Sequence, residues 1–284
     1  MNRFLMGGMI VGMIAALGAL PAPAQNPVQN PLQNPAENQN SAQITVAFSN
    51  PSQPRRLVVK TLMHKVTIKG YDGKDAIIES SAISERRRRE RNIPPGMHPL
   101  NVGRGGIEVT EANNVVTVSA ETPLGGGDIQ IQVPVETSVT VNTINNGVSV
   151  ENISGEIEVE SVNGGVSVTN SSGSVVATSM NGKVTVVLDK VAPGKAMSFS
   201  SMNGTIDVTL PADIKANLKM KVDNGDVYTD FDVKVTNEAF DTTESKTGKG
   251  VRIRGNRTTY GTINGGGPEM QFTTFNGRIL IHKK

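Results

Sequence analysis

The stretch Ile144–Val187, INNGVSVENISGEIEVESVNGGVSVTNSSGSVVATSMNGKVTVV, decides the fold. An apolar or small residue opens a unit at Ile144, Ile153, Val162, Ser171 and Met180, a constant step of nine. Asn or Ser follows, at Asn145, Ser154, Asn163, Ser172 and Asn181. Then come Asn146, Gly155, Gly164, Gly173 and Gly182, residues suited to corners with positive φ. Each unit continues with apolar residues two apart, Val148/Val150, Ile157/Val159, Val166/Val168, Val175/Ala177 and Val184/Val186. Ser, Glu or Thr fills most of the places between them, so each unit is a strand with one buried face.

A slower beat of eighteen runs through the same stretch, because Asn145, Asn163 and Asn181 alternate with Ser154 and Ser172. Gly-rich turns between alternating strands also fit an antiparallel meander. A meander gives no reason for two alternating corner types. A parallel β-solenoid does: two half-coils of about nine residues make one coil, and coils stack about 4.8 Å apart. The all-β solenoid is the expected fold, with irregular longer coils toward both ends. Asn145, Asn163, Asn181 and Asn203 would then form a corner ladder of paired amides.

Composition agrees with narrow coils. Seven Phe, three Tyr and no Trp leave the core to small β-branched side chains. The net charge of +2 argues against a nucleic-acid binder driven by bulk charge. No Cys is present, so disulfides, thiolate metal sites, a Cys nucleophile and a lipid-anchored Cys are excluded.

The N-terminus, MNRFLMGGMIVGMIAALGALPAPAQ, carries Arg3, an uncharged apolar run and the triplet Ala22-Pro23-Ala24. It reads as a secretory signal over residues 1–24, cut before Gln25, in preference to an uncleaved anchor. After cleavage no integral membrane span is expected. Residues 25–42 are a Gln/Asn/Pro tract suited to a flexible linker. Residues 43–284 are expected to be one β-solenoid domain, its repeats best defined over 135–230. The beat loosens afterwards through MNGTIDV, DNGDVYT and FNGRILI, and DTTESKTGKG is expected to be an exposed loop.

Here the residues carry a resemblance. IQIQVPVETSVTVNTINNGVSV, SVNGGVSV, SMNGKVTV and SMNGTIDVTLP resemble the bacterial putative-adhesin family of β-strand-repeat proteins, a domain of unknown function. The likeness runs over about 128–230 and less clearly to Lys284. It implies a solenoid-like fold, and it carries over no catalytic residues.

The residues themselves offer little chemistry. His64, His98 and His282 stand far apart without metal-ligand spacing and read as isolated surface histidines. Gly103, Gly105 and Gly106 lack the spacing of a phosphate loop. GGGDIQI fails the calcium nonapeptide because Asp128 stands where a Gly is needed. No metal or other cofactor is expected. Glu156, Glu158 and Glu160 alternate on one strand and read as a solubilising stripe rather than an acid–base pair.

One charge run stands out: Arg86, Arg87, Arg88, Arg89 and Arg91, inside an insertion over 84–104. Guanidinium forks suit the phosphates or carboxylates of an acidic envelope polymer, whereas a solvated loop is the plainer role. The expectation is an exported, non-enzymatic surface-binding or scaffold protein of the periplasm, cell surface or medium. Its partner would be an acidic polymer, a glycan or an envelope protein, not nucleic acid. A carbohydrate-active β-helix enzyme and a periplasmic sensor or assembly partner are the alternatives.

Overall fold

Strands of Val and Ile alternating with Ser, Thr and Glu bury one face each, and two such faces close on each other in every coil. The computed structural model describes residues 42–80, 106–120, 127–247 and 250–284. The strands in chain order begin with β1 (Ala42–Ala47), β2 (Arg56–Thr61), β3 (Lys65–Tyr71), β4 (Asp75–Ser80), β5 (Glu108–Ala112), β6 (Val115–Ala120) and β7 (Asp128–Pro134). The regular repeats supply β8 (Ser138–Asn145), β9 (Val148–Glu151), β10 (Ile157–Asn163), β11 (Val166–Gly173), β12 (Val175–Ser179) and β13 (Val184–Val191). The chain continues with β14 (Met197–Asn203), β15 (Ile206–Leu210), β16 (Ala216–Asn224) and β17 (Val227–Thr229). It ends with β18 (Val233–Thr247), β19 (Gly250–Ile263), β20 (Glu269–Asn276) and β21 (Ile279–Lys283).

These strands make two sheets. The front sheet runs β18-β19-β16-β20-β14-β12-β10-β8-β2-β6-β5, and the back sheet β1-β4-β7-β3-β9-β11-β13-β15-β21-β17. Pairing is parallel throughout the middle, with β10 between β8 and β12 and β11 between β9 and β13. Partners there differ by eighteen residues, as in Val166↔Val148 and Val166↔Val184. This is the parallel β-solenoid, with one front and one back strand per coil. Antiparallel strands finish the ladders: β5 on β6, β1 and β4 beyond β7, and the β18–β19 hairpin on β16.

The coils do not stack in sequence order. At one end β6/β7 lies outside β2/β3. At the other, the last coil, β20/β21, is inserted between β14/β15 and β16/β17. The segment DTTESKTGKG is also different from the expected loop. Asp241–Thr247 belongs to β18 and Gly250 to β19, paired antiparallel from Thr247↔Gly250 back to Val233↔Ile263.

Inward columns of Val, Ile and Leu fill the space between the sheets, and Leu57, Val59, Val66, Val150, Val159, Val168 and Val186 are fully buried. One column varies in size along the stack: Ala177 sits beside Phe199, which sits beside Phe272. The two rings are 5.1 Å apart between centroids at 33°, so the small Ala177 leaves room beside a stacked aromatic pair.

The corner glycines serve close approach more than positive φ. Asn146 (φ 87°) and Gly173 (φ 129°) do have positive φ, whereas Gly155, Gly164 and Gly182 do not. A Cβ on Gly164 would stand 1.9 Å from the Asn146 carbonyl oxygen, and one on Gly182 would stand 2.4 Å from the Gly164 oxygen. Successive corners are stacked too closely there for any side chain.

The β5/β6 end is held by polar contacts. The buried Asn114 side chain donates to the carbonyls of Asn50, Gln53 and Pro54 and accepts from Asn50 N. Glu111 accepts from Ser49 Oγ (2.7 Å), Ser49 N (3.2 Å) and Asn114 N (3.0 Å). The Ser49 hydroxyl first, and then the two backbone N–H groups, hold the Glu111 carboxyl below its ordinary range against the opposing effect of burial. Its stabilisation is therefore complete above the ordinary glutamate pKa and lost as pH falls through the lowered one. Acid melts of Glu111→Gln should show a shallower loss of stability across that interval than the parent. Parallel curves would mean that the carboxylate does not secure this end.

A candidate binding groove at the asparagine corner

The two corner types of the repeat have different outsides. At the Ser corner the opening residue points inward: Ile153 and Ser171 are buried. At the Asn corner it points outward, and Ile144, Met180 and Met202 are 43%, 45% and 51% exposed. Parallel register then stacks Leu62, Ile144, Val162, Met180, Met202 and Phe275 into one outward apolar column. At about 4.8 Å per coil the column is roughly 24 Å long.

A groove of about 670 Å³ follows this column from Leu62 to Met202. That volume falls within the range of small-molecule sites, roughly 300–1,000 Å³. Its second wall is polar, formed by Lys60, Asn142, Glu160, Thr178 and Ser200. Lys60 stands at the Leu62 end and Glu160 near the middle. Under it β8, β10, β12 and β14 are each paired on both sides, so their backbone groups are already used.

Two polar columns hold the corner in shape. Asn163 Nδ2 donates to Asn145 Oδ1 (3.0 Å), Asn181 to Asn163 (3.0 Å) and Asn203 to Asn181 (2.9 Å). The ladder then continues where sequence reasoning did not follow it: Asn276 donates to Asn203, and Asn224 to Asn276, each at 2.9 Å. The signal was present, since both begin an Asn-Gly pair before a strand. Beneath the amides runs a buried hydroxyl column, Thr61, Thr143, Ser161, Ser179, Ser201 and Thr274. Ser179 donates to Gly164 O (2.8 Å), Ser201 to Gly182 O (3.0 Å) and Thr274 to Gly204 O (3.2 Å). These three hydroxyls thus each satisfy a glycine carbonyl of the corner stacked beside them, and Ser161 does the same for Asn146 O.

The other sequence candidates fall elsewhere. His64 is not a surface residue: it is buried, with its Nδ1 2.9 Å from Thr61 Oγ1. The hydroxyl column offers it a partner inside the corner. His282 is half-exposed at the far end of the back sheet, 3.5 Å from Asp207. His98, Gly103, Gly105 and the Arg86–Arg91 run lie outside the described residues. Glu158 and Glu160 are exposed on β10, and their parallel neighbours are Thr140, Val176, Asn142 and Thr178, so adjacent coils bring no second carboxylate beside either. Glu156 pairs with Lys195 at 3.0 Å. Among the described residues no group of three or more His, Asp or Glu side chains could hold a metal ion. Nor, among them, is any helix long and apolar enough to cross a membrane.

The family model Toastrack DUF4097 matches residues 36–264, most of the chain. The chain belongs to the Toastrack DUF4097 family. Two solved structures are similar at low identity. A putative cell adhesion protein from Clostridium sporogenes is 12% identical with a TM-score of 0.42, the match covering 86% of this chain and 100% of that one. A putative adhesin from Bacteroides fragilis is 13% identical with a TM-score of 0.35, covering 86% and 97%. No curated protein matches the chain.

Proposed function

We propose that this Toastrack protein is an exported, non-enzymatic surface-binding protein of the cell envelope, and that its groove takes the acyl chain of an envelope amphiphile. The carrying observation is the outward apolar column, which six coils maintain at the Asn corner while the Ser corner turns the equivalent residues inward. Burying a continuous apolar strip favours an apolar chain that needs no hydrogen-bond partners. An added peptide strand would find the front-sheet backbone beneath the column already paired. Lys60, the cation lining the groove, suits an anionic headgroup at the Leu62 end. Export is supported by the charged, apolar and small-residue segments of residues 1–24. The Arg86–Arg91 run supports a separate contact with an acidic polymer, ionic and hence salt-sensitive.

Titrating the chain from Gln25 onward with a fluorescent long-chain fatty acid tests the groove. Paired Met180→Glu and Met202→Glu substitutions should weaken binding at least about tenfold, because each places a charge against the acyl chain. The melting temperature should hardly move, since both side chains are half-exposed. Lys60→Glu should weaken the fatty acid but not the matching long-chain alcohol. Binding that survives both glutamates would place the contact elsewhere. If it also vanishes in high salt, the arginine run is the contact; if envelope polysaccharide gains reducing ends on incubation, the carbohydrate-active alternative holds instead.

A further inference from the structure

The asparagine ladder has a chemical weak point at one end. Five of its members precede glycine: Asn163, Asn181, Asn203, Asn276 and Asn224. Asn-Gly is the dipeptide in which the following main-chain nitrogen reaches the side-chain amide carbon most easily, because glycine has no Cβ in the way. Attack forms the N–Cγ bond of a five-membered succinimide and expels ammonia. Water then opens the ring at either carbonyl, giving Asp or isoaspartate.

The reaction needs a side-chain amide free to turn and a glycine nitrogen free to attack. Inside the ladder the amides are held. Asn163, Asn181, Asn203 and Asn276 each donate through Nδ2 to one neighbour and accept through Oδ1 from the other. Two of the glycine nitrogens are engaged by the next coil as well: Gly204 N donates to Asn276 O and Gly277 N to Asn224 O, each at 3.0 Å. Asn224 is the end of the series. Its Nδ2 donates to Asn276, but among the described residues no further asparagine donates to its Oδ1. Among the described residues no coil follows β16/β17, and none stacks on Gly225 as Asn224 stacks on Gly277; the antiparallel contact of β16 with β19 stops at Lys221. Both Asn224 and Gly225 are exposed.

We infer that Asn224–Gly225 is a site of spontaneous deamidation, and that the ladder protects its other four Asn-Gly pairs. The product matters to the fold. A carboxylate at 224 loses the donor to Asn276 Oδ1 and sets oxygen against oxygen, beside Asp223 and Asp226. Isoaspartate also lengthens the main chain between β16 and β17, upsetting the register Val227↔Ile279. The terminal coil therefore loosens with the age of the molecule.

The test is to age the folded wild-type chain at mildly alkaline pH, digest it and follow each Asn-Gly peptide by mass spectrometry. Asn224 should convert roughly tenfold or more faster than Asn203 or Asn276, the ratio that two missing hydrogen bonds would produce, and several-fold faster than Asn163 or Asn181, from which the bond to Oδ1 distinguishes it. In denaturant the rates should converge, because no ladder remains. Earlier conversion of an interior member would overturn the inference. So would a ranking that persists in denaturant, since flanking sequence and not the ladder would then set the rates.

Discussion

Deleting residues 269–284 should unfold far more of the chain than it removes. In a solenoid each coil touches only its neighbours, so losing a terminal coil ordinarily trims the stack by one unit. Here the C-terminal coil is internal: β20 lies between β14 and β16, and β21 between β15 and β17. Without it, β16 and β17 have no parallel partner, and the β18–β19 hairpin, attached through β16, is cut off with them. The loss includes Met270, Phe272, Ile279 and Ile281, all fully buried. At roughly 1.5–3 kcal/mol for each such side chain, their burial is comparable with the whole net stability of a domain, about 5–15 kcal/mol. Amide exchange should show β16–β19 unprotected in the truncated chain while β8–β12 stay protected. Adding a peptide of residues 266–284 should restore protection to β16. Retained protection there without the peptide would show that β16–β19 is held by something other than the inserted coil.

That insertion was not legible in the sequence, and the reason is physical. Parallel register here requires only an amide, a glycine and inward apolar residues two apart. MNGTIDV, DNGDVYT and FNGRILI all satisfy it, so any of them can follow any other in the stack. Periodicity identifies a coil without fixing its neighbours. The same local economy made the front–back strand pairs legible from Val148 to Val186, because each unit carries its own pattern. Asn145, Asn163, Asn181 and Asn203 were legible as a column because eighteen residues separate the first three. Asn276 and Asn224 join it out of chain order.

Other features become visible only once coils are stacked. The role of Gly164 and Gly182 is set by carbonyls eighteen residues away, not by their own φ. DTTESKTGKG looks like a loop because it is polar and rich in glycine and lysine, yet Asp241–Thr247 and Gly250 pair in a long antiparallel hairpin. The groove was present in the sequence as the residues that open each unit. Nothing local said that Ile144, Val162 and Met180 would turn outward while Ile153 turned inward; the difference lies in the geometry of the two corners.

The sharpest test of the two-residue alternation is a pair of neighbours given the same charge. Val166 is 1% exposed, stacked between Val148 and Val184 in the back sheet and facing the front-sheet core. Ser167 is its neighbour on the outer face, stacked between Ser149 and Thr185. Val166→Asp removes apolar contacts and puts a carboxylate where no cation or donor can reach it, since its stacked neighbours are valines. The cost should be several kcal/mol, on the order of burying an unpaired polar group, much of it taken as a raised carboxyl pKa. Ser167→Asp keeps its charge in water between two hydroxyls and should stay within about 0.5 kcal/mol of the parent. Their difference should narrow in acid: once protonated, the buried carboxyl costs less to hold, and the exposed one changes little. Denaturant melts of both variants at neutral and acidic pH give the four midpoints required. Equal losses at neutral pH would mean that Val166 and Ser167 do not face opposite sides of the strand, and the inward columns would have to be redrawn by one residue.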